Sequence, residues 1–228
     1  MQYLLEAFAY LTAAEHWQGP AGLGARIGEH LGYTALTVTV TALIAVPIGM
    51  WVGHTRRGAA AVVSAAGALR ALPALGMLTF LAVVLPMGVR VPLVPATIAL
   101  VLLAAAPLIT GIVAGFDSVD REVVQSARAA GYSERQILTR VELPLGAPVM
   151  VGGLRSCVVQ VLATATVVAF IGLGGLGRLL IDGLAVQDYS RMVAGALAVT
   201  ALALIVDLCL AAVQRWCRPR TRQSRATR

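Results

Sequence analysis

A chain of 228 residues that is 58% apolar and only 13% charged lies outside the balance of a soluble globular domain and reads as a membrane protein. The formal net charge is +7, and all 18 basic residues are arginine. A phosphate loop of the GxxxxGK(S/T) type needs its lysine to reach the phosphates, so a standard Walker ATPase site is excluded.

In chain order, residues 1–18 (MQYLLEAFAYLTAAEHWQ) put Leu4, Phe8 and Leu11 on one helical face and Glu6 and Glu15 elsewhere, which predicts an amphipathic segment lying along the outer membrane surface. Glu6 comes early and no basic n-region precedes an apolar core, so no cleaved signal is expected. Gly19, Pro20 and Gly22 form a hinge, and residues 1–22 are expected as an extracytoplasmic unit before the membrane domain, 23–214. A bilayer core of about 30 Å takes roughly 20 helical residues to cross. That length gives spans near 31–53, 60–86, 94–116, 145–172 and 191–213, an all-α polytopic fold of about five membrane helices. Pro73 is expected to break the second, leaving room for a sixth, short or re-entrant piece.

Orientation follows the arginines. With the amino terminus outside, the inner side holds Arg56, Arg57, Arg121, Arg128, Arg135, Arg140 and the tail set Arg215, Arg218, Arg220, Arg222, Arg225 and Arg228; the outer side holds Arg26, Arg90, Arg178 and Arg191. The tail, 215–228, has no acidic residue and little apolar content, and is expected to be disordered and drawn to anionic headgroups rather than to nucleic acid.

Between the third and fourth spans the chain turns polar, over residues 117–143. Asp117 or Ser118 can cap a helix through 119–130, Gly131 supplies a left-handed ending, Ser133 with Gln136 predicts a capping box for a second helix, and Leu143-Pro144 is expected to stop it. The element is a helix, a corner and a helix on the cytoplasmic side, with a shallow apolar set of Val123, Ala127, Ala130, Ile137 and Val141. It can be a capped surface loop or a docking element for another subunit.

Past the fourth span, residues 172–177 (GLGGLG) spell GxGxxG, but a dinucleotide site needs a preceding strand and a βαβ unit, and residues 158–171 read as a membrane helix. Gly172, Gly174, Gly175 and Gly177 are expected to turn the chain tightly at the outer gate. Arg70, Arg155 and Asp207 fall within spans, where a charge facing lipid is costly, so they are expected to face the bundle or a neighbouring subunit. Arg155 follows Gly152-Gly153, and a structural or gating role is favoured for it, since an arginine in the path would repel a cation. His16, His30 and His54 lie near predicted interfaces with no carboxylate at helical spacing, so no proton relay or metal site is expected; Cys157, Cys209 and Cys217 match no metal or redox spacing and read as small hydrophobes.

The loop resembles the cytoplasmic "EAA" loop of bacterial ABC-importer permeases: EAA, three residues, Gly, nine residues, Ile-x-Leu-Pro. Gln125, Ser126, Ala127, Gly131, Val141, Leu143 and Pro144 occupy those positions with the spacing intact, Gln125 standing for the family's glutamate, Ser126 for its first alanine and Val141 for its isoleucine. The runs 30–58, 70–78, 142–156 and 169–184 resemble the quaternary-amine branch, which takes up glycine betaine, choline, carnitine or proline betaine. The resemblance implies a transport subunit without its own ATPase site or cofactor. It also implies an ABC ATPase in two copies that hydrolyses ATP, a second permease copy or a homologous permease, and an extracytoplasmic solute-binding protein. Coupling to the ATPase would fall to the loop positions above together with Ala130, and a pathway or gating role to Arg70, Pro73, Arg155 and the glycine run. The alternative is a self-contained secondary transporter or channel, which needs acidic groups inside spans; Asp207 is the one candidate.

Overall fold

The computed structural model describes residues 1–217. Its helices are α1 (Gln2–Thr12), α2 (Leu23–Thr55), α3 (Ala59–Leu69), α4 (Ala74–Val84), α5 (Leu93–Asp117), α6 (Arg121–Ala129), α7 (Glu134–Ile137), α8 (Leu143–Thr164), α9 (Gly177–Ala185) and α10 (Tyr189–Trp216). A π-helical turn, Leu138–Glu142, joins α7 to α8, and a 3-10 segment, Ala165–Ile171, continues α8 outward. Among the described residues there is no strand.

Four helical rods are long and apolar enough to cross a membrane: α2, α5, the 38-residue run Glu134–Ile171, and α10. The fifth crossing is not one helix. α3 and α4 meet at a bend of 84°, with Pro73 as the N-cap of α4, where a residue without an N–H can enter a helix but not continue one. Each half has 11 residues, about 16 Å of helix and half a bilayer core. α2 begins at Leu23, earlier than the expected 31, and its 33 residues extend about 50 Å, well beyond the thickness of the hydrocarbon.

The core is a slab of three rods with α5 in the middle, α2 on one side and α8 on the other. α5 buries Ala99, Leu103, Ala106, Ile109, Ile112 and Phe116. On α2, Gly49 and Gly53 leave room for Ile112 and Phe116. On α8, Gly153 lies directly against Gly111 of α5, and a Cβ on Gly153 would sit 3.2 Å from the Gly111 carbonyl carbon and 3.3 Å from the Pro107 oxygen. With no hydrophobic drive between rods already in lipid, such backbone-to-backbone fits supply the dispersion contacts that hold them. The outer half of α2 buries a polar row, His30, Thr34, Thr37 and Thr41. His30 Nε2 bonds the Leu162 carbonyl at 3.0 Å.

α1 lies at the outer end of the bundle. It packs along the outer part of α10, with the Tyr3 and Tyr189 rings 5.7 Å apart and Ser190 Oγ donating to Glu6. Ala7 is the residue it buries, while Leu4 and Phe8 of the amphipathic face stay 46% and 60% exposed; only a small side chain lets two helices lie this close, so the bulky face turns outward. Arg215 closes α10, and the rest of the basic tail, 218–228, lies outside the described residues.

Candidate functional site

The cytoplasmic loop is built almost entirely from local chemistry. α6 is capped by Asp120, whose Oδ1 accepts from the Glu122 N–H at 2.9 Å. The expected caps have other work: Asp117 accepts from Arg56 Nη1 at 2.6 Å and Ser118 Oγ donates to the Gly115 carbonyl, so α5 runs on to Asp117 and the cap moves three residues down. α6 ends in a Schellman turn: Tyr132 N–H donates to Ala127 O (3.2 Å), Gly131 N–H to Arg128 O (3.1 Å), and Gly131 has φ +87°. Ser133 then caps α7, with the reciprocal bond from Ser133 N–H to Gln136 Oε1 at 2.9 Å.

Arg128 closes the corner. Its Nε and Nη2 donate to the two oxygens of Glu134 at 2.7 and 2.9 Å, a bidentate fork across Gly131. The fork holds the Glu134 carboxyl below its ordinary value of 4.5. A carboxylate whose folded value is depressed adds stability above its unfolded value and loses it as pH falls through the folded one. The α6–α7 corner should therefore hold its amide-exchange protection from neutral pH down to about 4.5 and lose it only in more acid solution, whereas Glu134→Gln should show the weaker protection at every pH.

Leu143-Pro144 does not stop the second helix. The run continues from Glu134 to Ile171 without a break, because the π turn absorbs the proline: the Leu143 N–H reaches back to Leu138 O, and Pro144 falls in the first turn of α8, where its missing N–H costs little. Of the expected coupling residues, Gln125, Ser126, Ala130, Gly131 and Pro144 are exposed, and Ala127, Val141 and Leu143 half-buried. Val123 is exposed as well, and Ile137 is completely buried, so the shallow apolar set splits between surface and core.

Beneath the corner lies a cluster that sequence reading did not find. Glu142 is 2% exposed, and His54 Nδ1, at the end of α2, donates to its Oε2. His54 Nε2 stands 3.6 Å from Glu134 Oε2. Beside it a cleft of about 310 Å³ is lined by Arg56, Arg121, Gln125 and Arg128 among others. The His54–Glu142 partners are 88 residues apart, beyond any helical spacing rule; the one local signal was a carboxylate opening a membrane span.

The residues expected along the pathway do not converge on one site. Arg155 Nη2 donates to Asp207 Oδ2 at 2.7 Å, its Nε bonds Oδ1, and Nη1 bonds Gln214 at 3.1 Å, all beside a groove of about 520 Å³ between α8 and α10. Both Asp207 oxygens are thus occupied by the fork. Arg70 and Pro73 stand exposed at the bend. Gly172 and Gly175 have φ +91° and +84°, and Gly175 N–H donates to Glu29 Oε2 at 2.6 Å; a Cβ on Gly174 would collide with the same carboxylate. The glycine run is therefore a cradle for a side chain of α2. Three of the outer arginines, Arg26, Arg178 and Arg191, gather on Asp182 at 4.0, 2.7 and 3.3 Å.

Residues 28–223 match the model of the family described as binding-protein-dependent transport system inner membrane component. The chain belongs to this family. It is 31% identical over 195 residues, covering 86% of this chain and 88% of the relative, to the glycine betaine/carnitine/choline transport system permease protein OpuCB of Bacillus subtilis. It is 30% identical to the osmoprotectant import permease protein OsmW of Salmonella typhimurium, with 82% and 87% covered. The fold is that of a chain in the inward-facing structures of the MetNI methionine ABC transporter, with TM-score 0.76, 18% identity, and 86% of this chain and 96% of that chain covered. This permease is accordingly a multi-pass inner membrane component of an importer.

Proposed function

We propose that this permease moves a quaternary-amine osmoprotectant (glycine betaine, choline or carnitine, with proline as a related solute) across the cytoplasmic membrane by alternating access. The work comes from ATP hydrolysed on a separate ATPase, present in two copies per complex, that docks on the loop 117–143; the chain itself holds no cofactor and catalyses no reaction. A second permease, identical or homologous, completes the pore, and an external binding protein delivers the solute. The substrate reading rests on the relatives named above.

The coupling reading rests on one observation: α7, on the far side of the Gly131 corner, and the fourth span are a single 38-residue rod, Glu134–Ile171, so a push on α7 tilts α8 without a joint to absorb it, and the Arg128–Glu134 fork ties α6 to the start of that rod. Gln125 and Ser126 offer the ATPase a neutral, hydrogen-bonding surface in place of a charge. The outer glycine cradle and the Arg155–Asp207 fork act as gating and structural elements at the other levels of the same rod.

The test is reconstitution of permease, ATPase and binding protein in vesicles. One quaternary amine, presented with its binding protein, should stimulate ATP hydrolysis and accumulate inside. If the permease alone pumped solute uphill without nucleotide, the reading would fall to that of a secondary transporter.

A further inference from the structure

The ATPase stroke, as read above, enters through α6 and α7 and passes straight into α8. α2 must move with it if one permease acts as one body, yet α2 meets α8 only at a few places, its broad contact being with α5. At the cytoplasmic end α2 is tied to α8's rod by a single polar bridge, His54 to Glu142, with Glu134 on the other side of the same imidazole.

The π turn is what puts Ile137 on the same face as the bridge. In an α-helix two residues five apart point about 140° away from each other. Ile137 and Glu142 are five apart, and both are buried, at 0% and 2% exposure; a turn with i to i+5 bonding stacks them on one face. The same face continues through Gly146, Gly153, Cys157 and Val161, all buried at α-helical spacing. A regular helix would keep the glycine face on α5 and swing Ile137 away, or keep Ile137 and lose the glycines. The wide turn satisfies both and leaves a carboxylate at the junction, where removing His54 would strand a buried charge.

The geometry points to Glu142 and His54 as positioning residues for energy coupling: a strap, maintained throughout the cycle, that makes α2 follow the loop and α8 when the ATPase moves. Neither residue touches solute or nucleotide. The strap rests on the docking reading, and the experiment separates the two.

Permease, ATPase and binding protein are reconstituted with glycine betaine, and solute imported per ATP hydrolysed is measured for the parent, Glu142→Gln, His54→Gln and the double variant. Each single change should lower that ratio by about tenfold or more while hydrolysis continues, and the double variant should be no worse than either single, because both remove one link. A parent ratio in either single variant, or effects that multiply in the double, overturns the strap. A second measurement needs no altered bridge: spin labels at the exposed Arg57 and Arg140 of the parent complex should report one distance with and without ATP, and a nucleotide-dependent change overturns the strap even where the variants fail to assemble. A parent complex that imports no quaternary amine, with the label distance fixed, sinks the transport reading and leaves the strap standing.

Discussion

Replacing Gly131 with tryptophan should abolish most ATP-driven uptake while leaving the membrane domain folded. The reason is in the backbone. Gly131 holds φ +87° in the Schellman turn that ends α6, and a Cβ placed there would meet nothing within 4 Å. Local crowding therefore contributes no penalty; the cost is the left-handed conformation itself, about 1–2 kcal/mol for a residue with a Cβ. That is enough to depopulate the corner roughly 5- to 30-fold against open alternatives. Bulk at an exposed position of the docking surface adds a steric block that the strain does not include. A short series separates the two effects. Gly131→Asn, whose side chain tolerates the left-handed region, should retain most transport; Gly131→Val should lose it by strain, and Gly131→Trp by strain and bulk together. Uptake in reconstituted vesicles and retention of the ATPase on a tagged permease are the two readouts. Equal uptake by glycine, valine and tryptophan would remove the corner from the mechanism.

The sequence carried this corner because each part of it is local. A positive-φ glycine, a serine with glutamine three residues on, and a polar run between apolar ones are all readable within ten residues. The spans were legible for a similar reason: hydrocarbon thickness converts directly into residues. What stayed hidden was the product of helix rotation. Pro144 was expected to end a helix, since the rule about the residue before proline is local too, but a π turn can take up a proline in the first turn of the next helix without a break. That one turn decides that Ile137 and Glu142 share a face. Asp120 took the cap from Asp117 for a tertiary reason, because Arg56, 61 residues earlier, had claimed the other carboxylate. The glycine run follows a 3-10 segment rather than a strand, and its occupant, Glu29, lies 146 residues away and leaves no trace in the run itself.

Both ends of α2 are thus held by groups that α8's rod or its extension provides, Glu142 inside and Gly175 outside, with the His30–Leu162 bond between. α10 stands apart from the three-rod slab: its most apolar stretch buries none of its residues, and it meets α8 through the charged fork.

That fork gives the second large effect. Asp207→Ala should cost the permease more than the double change Arg155→Ala with Asp207→Ala. With the carboxylate gone, Arg155 keeps one partner, Gln214, for five donors, inside a segment where lipid offers none. The guanidinium must then drag water or headgroups inward, or α10 must separate from α8. Removing both charges leaves a cavity but no stranded ion, and a pair is more easily lost whole than halved. Thermal melting of the detergent-solubilised permease, followed by the loss of its monodisperse peak on size exclusion, should fall by several degrees for Asp207→Ala and recover most of that drop in the double variant. Asp207→Asn should lie between, since the amide oxygen accepts one of the two bonds without the charge. The same ordering should hold for uptake if the fork is structural. An Asp207→Asn permease that melts like the parent but transports nothing would instead make the carboxylate part of the solute's path, and an Asp207→Ala permease as stable as the parent would mean that α8 and α10 are joined by something other than this pair.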